Sequence, residues 1–291
     1  MDFSAEQRQV VEHGAGPLRV GGRAGTGKTT ALIARYLELT RSVPPSKILF
    51  VCRSREGVAG VRDAVVPALA GGFDSLPIAT FDGIAIDVLA RGGAWPRRVS
   101  VAEQRTLVRD LLAAEDPATW PTLGHLLPRP AFADEVLDGL TRLRMAAPAP
   151  TSERLDDAWR ELASFAARYS DALARRDAFD RPGLFVAAAL AAEAAPLPYE
   201  HILVDDFEAA TAATARLLDV LARNTASVCV AANPSAAIDS RRGASAQFFE
   251  TLAAPQVELT ETFRRPSPPV LVRCNHPSVE PEVIAGELLA A

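Results

Sequence analysis

Gly22-Arg23-Ala24-Gly25-Thr26-Gly27-Lys28-Thr29 is the stretch on which the reading of this 291-residue chain turns. It fits G-x-x-x-x-G-K-[ST], a loop whose backbone N–H groups wrap phosphates. The apolar run 18–20 before it predicts a buried strand, and residues 30–39 after it predict a helix. Strand, loop and helix in that order are what such a loop needs, because N–H groups at a helix start point at the ligand. Gly25 and Gly27 let the backbone come close. Lys28 would reach the β- and γ-phosphates, and the Thr29 hydroxyl would sit on Mg²⁺. Gly22, Ala24, Thr26 and Thr30 complete the candidate nucleotide contacts. Lys28 and Lys47 are the only lysines among 31 basic residues; the rest are arginine. A compact ammonium fits this loop where a planar guanidinium does not.

The bulk numbers bound the remaining choices. A hydrophobic content of 48% and a charged content of 23% are those of a soluble globular protein. No apolar run approaches the ~20 residues of a membrane span, and the first residues carry no signal-peptide pattern. A net charge of −5 argues against a broad basic surface for duplex DNA, while leaving room for a narrow single-strand track. Cys52, Cys229 and Cys274 are odd in number and far apart, as expected of free thiols in a reducing cytoplasm. His13, His125, His201 and His276 show no ligand spacing, so the expected metal is Mg²⁺ held with nucleotide. Arg23 and Arg35, near the loop, read as surface residues that aid solubility.

Outward from the loop the chain alternates strands and helices. Ser4 is a candidate N-cap for a short opening helix. Strands are expected at 47–52 and 77–80, with helices at 56–69 and 83–90. From 92 to 196 alanine, leucine, arginine and glutamate dominate at helical spacing, broken by prolines, and strand-like runs are almost absent. The α/β texture then resumes, with strands at 201–205, 227–232 and 256–260 and a helix at 211–223. The expected architecture is a parallel sheet covered by helices on both faces, with an all-helical insertion. Its discontinuous main domain spans 1–91 and 197–291, and the insertion spans 92–196.

A phosphate loop needs an acidic partner at a strand end. Ile202-Leu203-Val204-Asp205-Asp206 supplies one, with Asp205 on the metal side and Asp206 as the polariser of attacking water.

Taken in order, these pieces resemble the first, RecA-like motor domain of UvrD/Rep-like superfamily 1 DNA helicases. Phe3-Ser4-Ala5-Glu6-Gln7-Arg8 resembles the family's Q-motif, which implies Gln7 against the adenine base. Thr80-Phe81-Asp82-Gly83-Ile84-Ala85 resembles T-F-H-S-F-A. Phe179-Asp180-Arg181-Pro182-Gly183-Leu184 resembles the D-F-D-D-L helix start. Ala232-Asn233-Pro234 through Arg242-Gly243-Ala244 resembles G-D-x-x-Q…F-R-G-A, and Leu259-Thr260-Glu261-Thr262-Phe263-Arg264 resembles L-x-x-N-Y-R-S. The resemblance implies that Arg264 helps hold the γ-phosphate beside Lys28 and Asp206, and that Arg242 lies at the nucleotide. It further implies ATP and Mg²⁺ as cofactors, single-stranded DNA as partner, and a second RecA-like domain in the same, longer chain.

Departures from the pattern bear on the chemistry. The family's D-E-x-Q-D is here Asp205-Asp206-Phe207-Glu208-Ala209. Aspartate at 206 withdraws the carboxylate by one methylene, about 1.5 Å. Misplacement by about 1 Å can cost on the order of a hundredfold in rate. Asn233 and Ala236 stand where the family has an aspartate and a γ-phosphate-sensing glutamine. Arg53, Asp239 and Arg241 replace aromatics that stack DNA bases. Two functions stay open on this pattern. One is a DNA-dependent ATPase and translocase working in repair or recombination. The other is a non-hydrolysing scaffold, such as the weaker-motor subunit of an actinobacterial AdnAB-type helicase–nuclease beside an active partner. A small-molecule kinase is disfavoured, because nothing from 91 to 196 supplies a lid or acceptor site.

Overall fold

Local signals set the first element. The Ser4 hydroxyl accepts the Gln7 N–H, and the Gln7 side chain accepts the Ser4 N–H, a capping box that starts α1 (Ala5–Val11). Then follow β1 (Gly16–Gly22), α2 (Lys28–Leu39), β2 (Ile48–Cys52), α3 (Arg55–Val65), β3 (Ile78–Thr80) and α4 (Phe81–Arg91). Ser54 and Thr80 cap α3 and α4 with their hydroxyls. Next come β4 (Arg97–Arg98), α5 (Val101–Ala113), α6 (Phe132–Met145), α7 (Asp157–Ala174), β5 (Ala178–Phe179) and α8 (Arg181–Ala194). The chain continues through β6 (His201–Val204), α9 (Ala212–Ala222), β7 (Ser227–Ala232), α10 (Gln247–Glu250) and β8 (Gln256–Leu259). The computed structural model describes residues 3–69, 72–93, 95–145, 157–236 and 243–263.

The main sheet runs β3-β2-β6-β7-β1-β8 with every neighbouring pair parallel. Its central strands are continuous apolar runs because both faces are covered. Side-chain alternation divides each strand between two cores. Ile48, Phe50, Leu203 and Cys229 face α1, α2 and α3. Leu49, Val51, Ile202, Val204, Val228 and Val230 face α4, α8 and α9. All strand C-termini therefore open on one edge of the sheet, where ligands of open parallel sheets bind.

Residues within 99–145 and 157–178 contribute a further core, centred on Val108, Trp120, Phe165 and Tyr169. The Trp120 ring lies between Phe132 and Phe165, at centroid distances of 6.2 and 5.6 Å, and its indole N–H donates to Glu115. Two structural details differ from the sequence pattern. Arg97–Arg98 and Ala178–Phe179 form a two-residue parallel ladder within the helical stretch, too short to leave a periodic signal. Helix α8 buries Leu184, Phe185 and Ala188 in the core of the sheet with α4 and α9. Its N-cap, Asp180, is buried and takes the Gly183 N–H at 2.9 Å and the Arg144 guanidinium at 3.1 Å. Burial pushes the Asp180 carboxyl up, and Arg144 opposes the shift.

Glu161 closes the turn after Trp120. Its carboxylate accepts the Thr122 N–H at 2.7 Å and the Leu123 N–H at 3.0 Å. Glutamine offers one acceptor and turns a donor toward the second N–H. We expect Glu161→Gln to cost about 1–2 kcal/mol. In a thermal melt followed by circular dichroism, the midpoint should fall by a few degrees. An unchanged midpoint would deny this carboxylate its role.

Candidate functional site

The loop between β1 and α2 carries the first half of the site. Gly25 and Gly27 have φ of 84° and 78°, in the left-handed region. Gly27 has a second reason to be glycine, since a Cβ there would collide with Gln7 Nε2 and push that side chain from its place. Gln7 is 3% exposed and its Nε2 donates to the Thr26 carbonyl at 3.3 Å, so α1 is fastened to the loop. Thr26 Oγ1 donates to the Arg23 carbonyl at 2.9 Å. Lys28 Nζ donates to the carbonyls of Gly22 and Arg23 at 2.7 and 3.0 Å, which holds its charge over the loop. A Cβ at Gly22 would lie 2.5 Å from Thr26 Oγ1, so that position also has no room for a side chain.

The second half comes from the end of β6. Thr29 Oγ1 donates to Asp205 Oδ2 at 2.5 Å, joining residues 176 positions apart. Asp205 is 7% exposed. Burial first, then the neighbouring Asp206, pushes its carboxyl up to about 6, against the pull of Thr29, the Asp206 N–H and Lys28. Asp206 has φ 54° and ψ 42° and begins a short 3₁₀ turn. Aspartate is among the few residues that tolerate this conformation. Its N–H donates to Asp205 Oδ1 at 3.1 Å.

These groups line one cavity of about 590 Å³, with Ala24, Gly25, Gly27, Lys28, Thr29 and Thr30 on its floor and Gln7 and Asp206 on its walls. Volume and donors suit a nucleoside triphosphate: helix N–H groups and an ammonium for phosphate, and a buried amide beside them for a base. A carboxylate and a hydroxyl in contact are oxygen donors of the kind Mg²⁺ takes. Among the described residues no cluster of three or more His, Cys, Asp or Glu could hold a metal without further oxygens. Asp206 also lines a second cavity of about 390 Å³, together with Arg53, Asp82, Arg181, Thr211 and Ala244.

Several sequence expectations meet the structure differently. Arg35, read as a surface residue, is fully buried on α2. The signal was present: Leu32, Arg35, Tyr36 and Leu39 follow the i, i+3, i+4, i+7 stripe of a core-facing helix side. Phe3 and Phe263 also line the first cavity, and the Phe263 N–H donates to the Gly25 carbonyl at 2.9 Å. Glu208 is buried, and its carboxylate accepts the N–H of Asn233 at 3.0 Å where β7 ends. Cys52 and Cys229 are buried free thiols. Burial, with Asp205 and Asp206 adding to it, pushes Cys52 up to about 12. Arg242 and Arg264 lie outside the described residues, as do Asp239, Arg241, Arg265, Cys274 and His276. No helix among the described residues is long and apolar enough to cross a membrane.

Comparison with known proteins returns a matching family model, the UvrD/REP helicase N-terminal domain, over residues 3–255. Curated proteins similar to the chain include the ATP-dependent DNA helicase PcrA of Staphylococcus aureus strains Mu50, NCTC 8325 and COL. Each is 24% identical over 260 residues, covering 84% of this chain and 35% of the relative. The chain thus spans about a third of the length of these relatives.

Proposed function

The chain belongs to the UvrD/REP helicase N-terminal domain family, and from that premise we propose that it is the ATP-binding part of a motor that moves along single-stranded DNA. The observation that carries this reading is the 2.5 Å contact between Thr29 and Asp205 beside the Lys28 loop. Lys28 and the N–H groups at the start of α2 hold the phosphates. Thr29 and Asp205 hold Mg²⁺, which supplies charge neutralisation when bound. Gln7 meets the base edge, with Phe3 and Phe263 offering apolar faces beside it. Asp206 orients the attacking water, and Arg264 and Arg242 complete the phosphate contacts. The sheet domain at 1–91 and 197–291, with α8 packed into its core, then works with the rest of the helical segment 92–196, and a second RecA-like domain closes over the nucleotide.

A scaffold role, as in an AdnAB-type assembly with an active partner subunit, is the second reading. It is favoured by the short carboxylate of Asp206 and by Ala236, which can neither orient water nor report phosphate release. The test is ATP turnover by the full-length protein with and without single-stranded DNA, in a cytoplasmic buffer with Mg²⁺. A motor shows DNA-stimulated turnover that Lys28→Ala removes. A wild type that binds ATP without turnover, unchanged by Asp206→Glu, is a scaffold.

A further inference from the structure

Arg35 is a buried cation with an unusual set of partners. Its Nη1 donates to the carbonyls of Val10 and Val11 at 3.2 and 3.4 Å and to that of His13. Its Nη2 donates to the carbonyl of Gly14 at 3.3 Å and to Ser227 Oγ at 3.2 Å. Every one of these acceptors is uncharged. The guanidinium therefore collects the carbonyls left over at the C-terminal end of α1 and along its connection to β1, where a cation is favoured. Ser227 Oγ accepts from Arg35 and lies 2.7 Å from His201 Nδ1, so its own proton is free to point at that nitrogen. Arg35, on α2, thus reaches the end of α1, the residues leading into β1 and the start of β7, and through Ser227 the start of β6.

The consequence lies one helical turn away. Gln7 and Val10 are both buried on the side of α1 that meets α2. Helix α1 has only 7 residues, too few to hold its place by its own hydrogen bonds. Two tethers fix it: Gln7 to the Thr26 carbonyl at one end, and Arg35 to the carbonyls at the other. Without the second tether α1 can pivot, and the Gln7 amide loses its set position at the cavity wall.

We infer that Arg35 is a positioning residue for nucleotide-base recognition, holding α1 so that Gln7 presents its amide at the rim of the phosphate loop. The inference rests on the reading of Gln7 as the group that meets the base. It separates two affinities, for phosphates and for base, that a merely structural arginine would lower together.

The probes are Mg·ATP and Mg·tripolyphosphate, titrated by calorimetry against the wild-type chain, Gln7→Ala, Arg35→Lys and the double variant. Lysine keeps the charge but cannot span the carbonyls that the planar fork reaches. Arg35→Lys should cut the preference for ATP over tripolyphosphate about tenfold, the worth of one well-placed hydrogen bond to the base. Tripolyphosphate affinity should stay at the wild-type value, and the double variant should be no worse than Gln7→Ala. Equal loss of both affinities in Arg35→Lys, or an unchanged ratio, overturns the inference. If Gln7→Ala leaves the ratio unchanged, the base-contact reading itself fails. If Arg35→Lys does not fold, Arg35→Gln is the second variant: its short planar amide cannot reach the four carbonyls together, so the ratio should fall in the same way, and an unmoved ratio overturns the inference.

Discussion

Lys28→Ala should weaken Mg·ATP binding on the order of a hundredfold while leaving the fold intact. The ammonium now donates to the Gly22 and Arg23 carbonyls, and the exposed Arg23 carbonyl can turn to water when it leaves. Its loss therefore costs the apo fold little. Bound phosphate is different. A hydrogen bond to a charged group is worth about 1.5–3 kcal/mol, and Lys28 supplies two charge-assisted donors at one point. At about 1.4 kcal/mol per decade that is at least a hundredfold. Lys28→Arg should fail to rescue binding, because the planar fork does not fit where a rotating ammonium does. Titration of a fluorescent ATP analogue, with a thermal melt as the control for folding, checks both. Wild-type affinity in Lys28→Ala would remove the phosphate loop from the account of this site.

Asp205→Asn should make the nucleotide-free protein more stable while disabling it. The carboxyl is pushed from 3.8 up to about 6, chiefly by burial and by Asp206. An acid whose folded pKa is raised holds its proton in the folded state over a range where the unfolded chain releases it. Stability therefore falls as pH rises from 3.8 to about 6, and the full penalty stands above that range. A shift of this size corresponds to about 3 kcal/mol. Asparagine keeps the shape and drops the charge. Urea unfolding at pH 7.5 should find Asp205→Asn more stable by about that amount, with the gap closing near pH 3.5. Equal stability at pH 7.5, or a gap that persists in acid, contradicts this. Binding of Mg·ATP should move the opposite way, since a neutral amide holds the cation less well than a carboxylate. A cost in stability at a ligand-binding group is common where function sets the residue.

The parts of the site legible in the sequence are those with fixed local spacing. The loop from Gly22 to Thr29 announces itself because glycine, lysine and hydroxyl must follow one another in the chain. Asp205 is legible because an apolar strand ends in it. The meeting of Thr29 with Asp205 depends on strand order, with β1 and β6 on either side of β7, which local sequence does not record. Arg35 was obscured because its charge outweighed its place on the buried stripe of α2, and no local pattern announces a cation partnered by carbonyls. Phe3 and Phe263 line one cavity because α1 and the residues after β8 both lie against the phosphate loop, a meeting of distant segments. The left-handed backbone of Asp206 is set by the turn after β6, and aspartate there is permissive rather than diagnostic. Helix α8 is rich in alanine, so its composition matches the helical segment before it. Its place in the core of the sheet depends on α4 and α9, which the local sequence does not record.

A crystal structure of the chain with a non-hydrolysable ATP analogue and Mn²⁺, located by its anomalous signal, tests the site most directly. The phosphates should lie in the loop from Gly22 to Thr29 under Lys28, the metal between Thr29 and Asp205, and the base beside Gln7. A nucleotide bound away from this loop, or a metal held without Asp205, would contradict the site described.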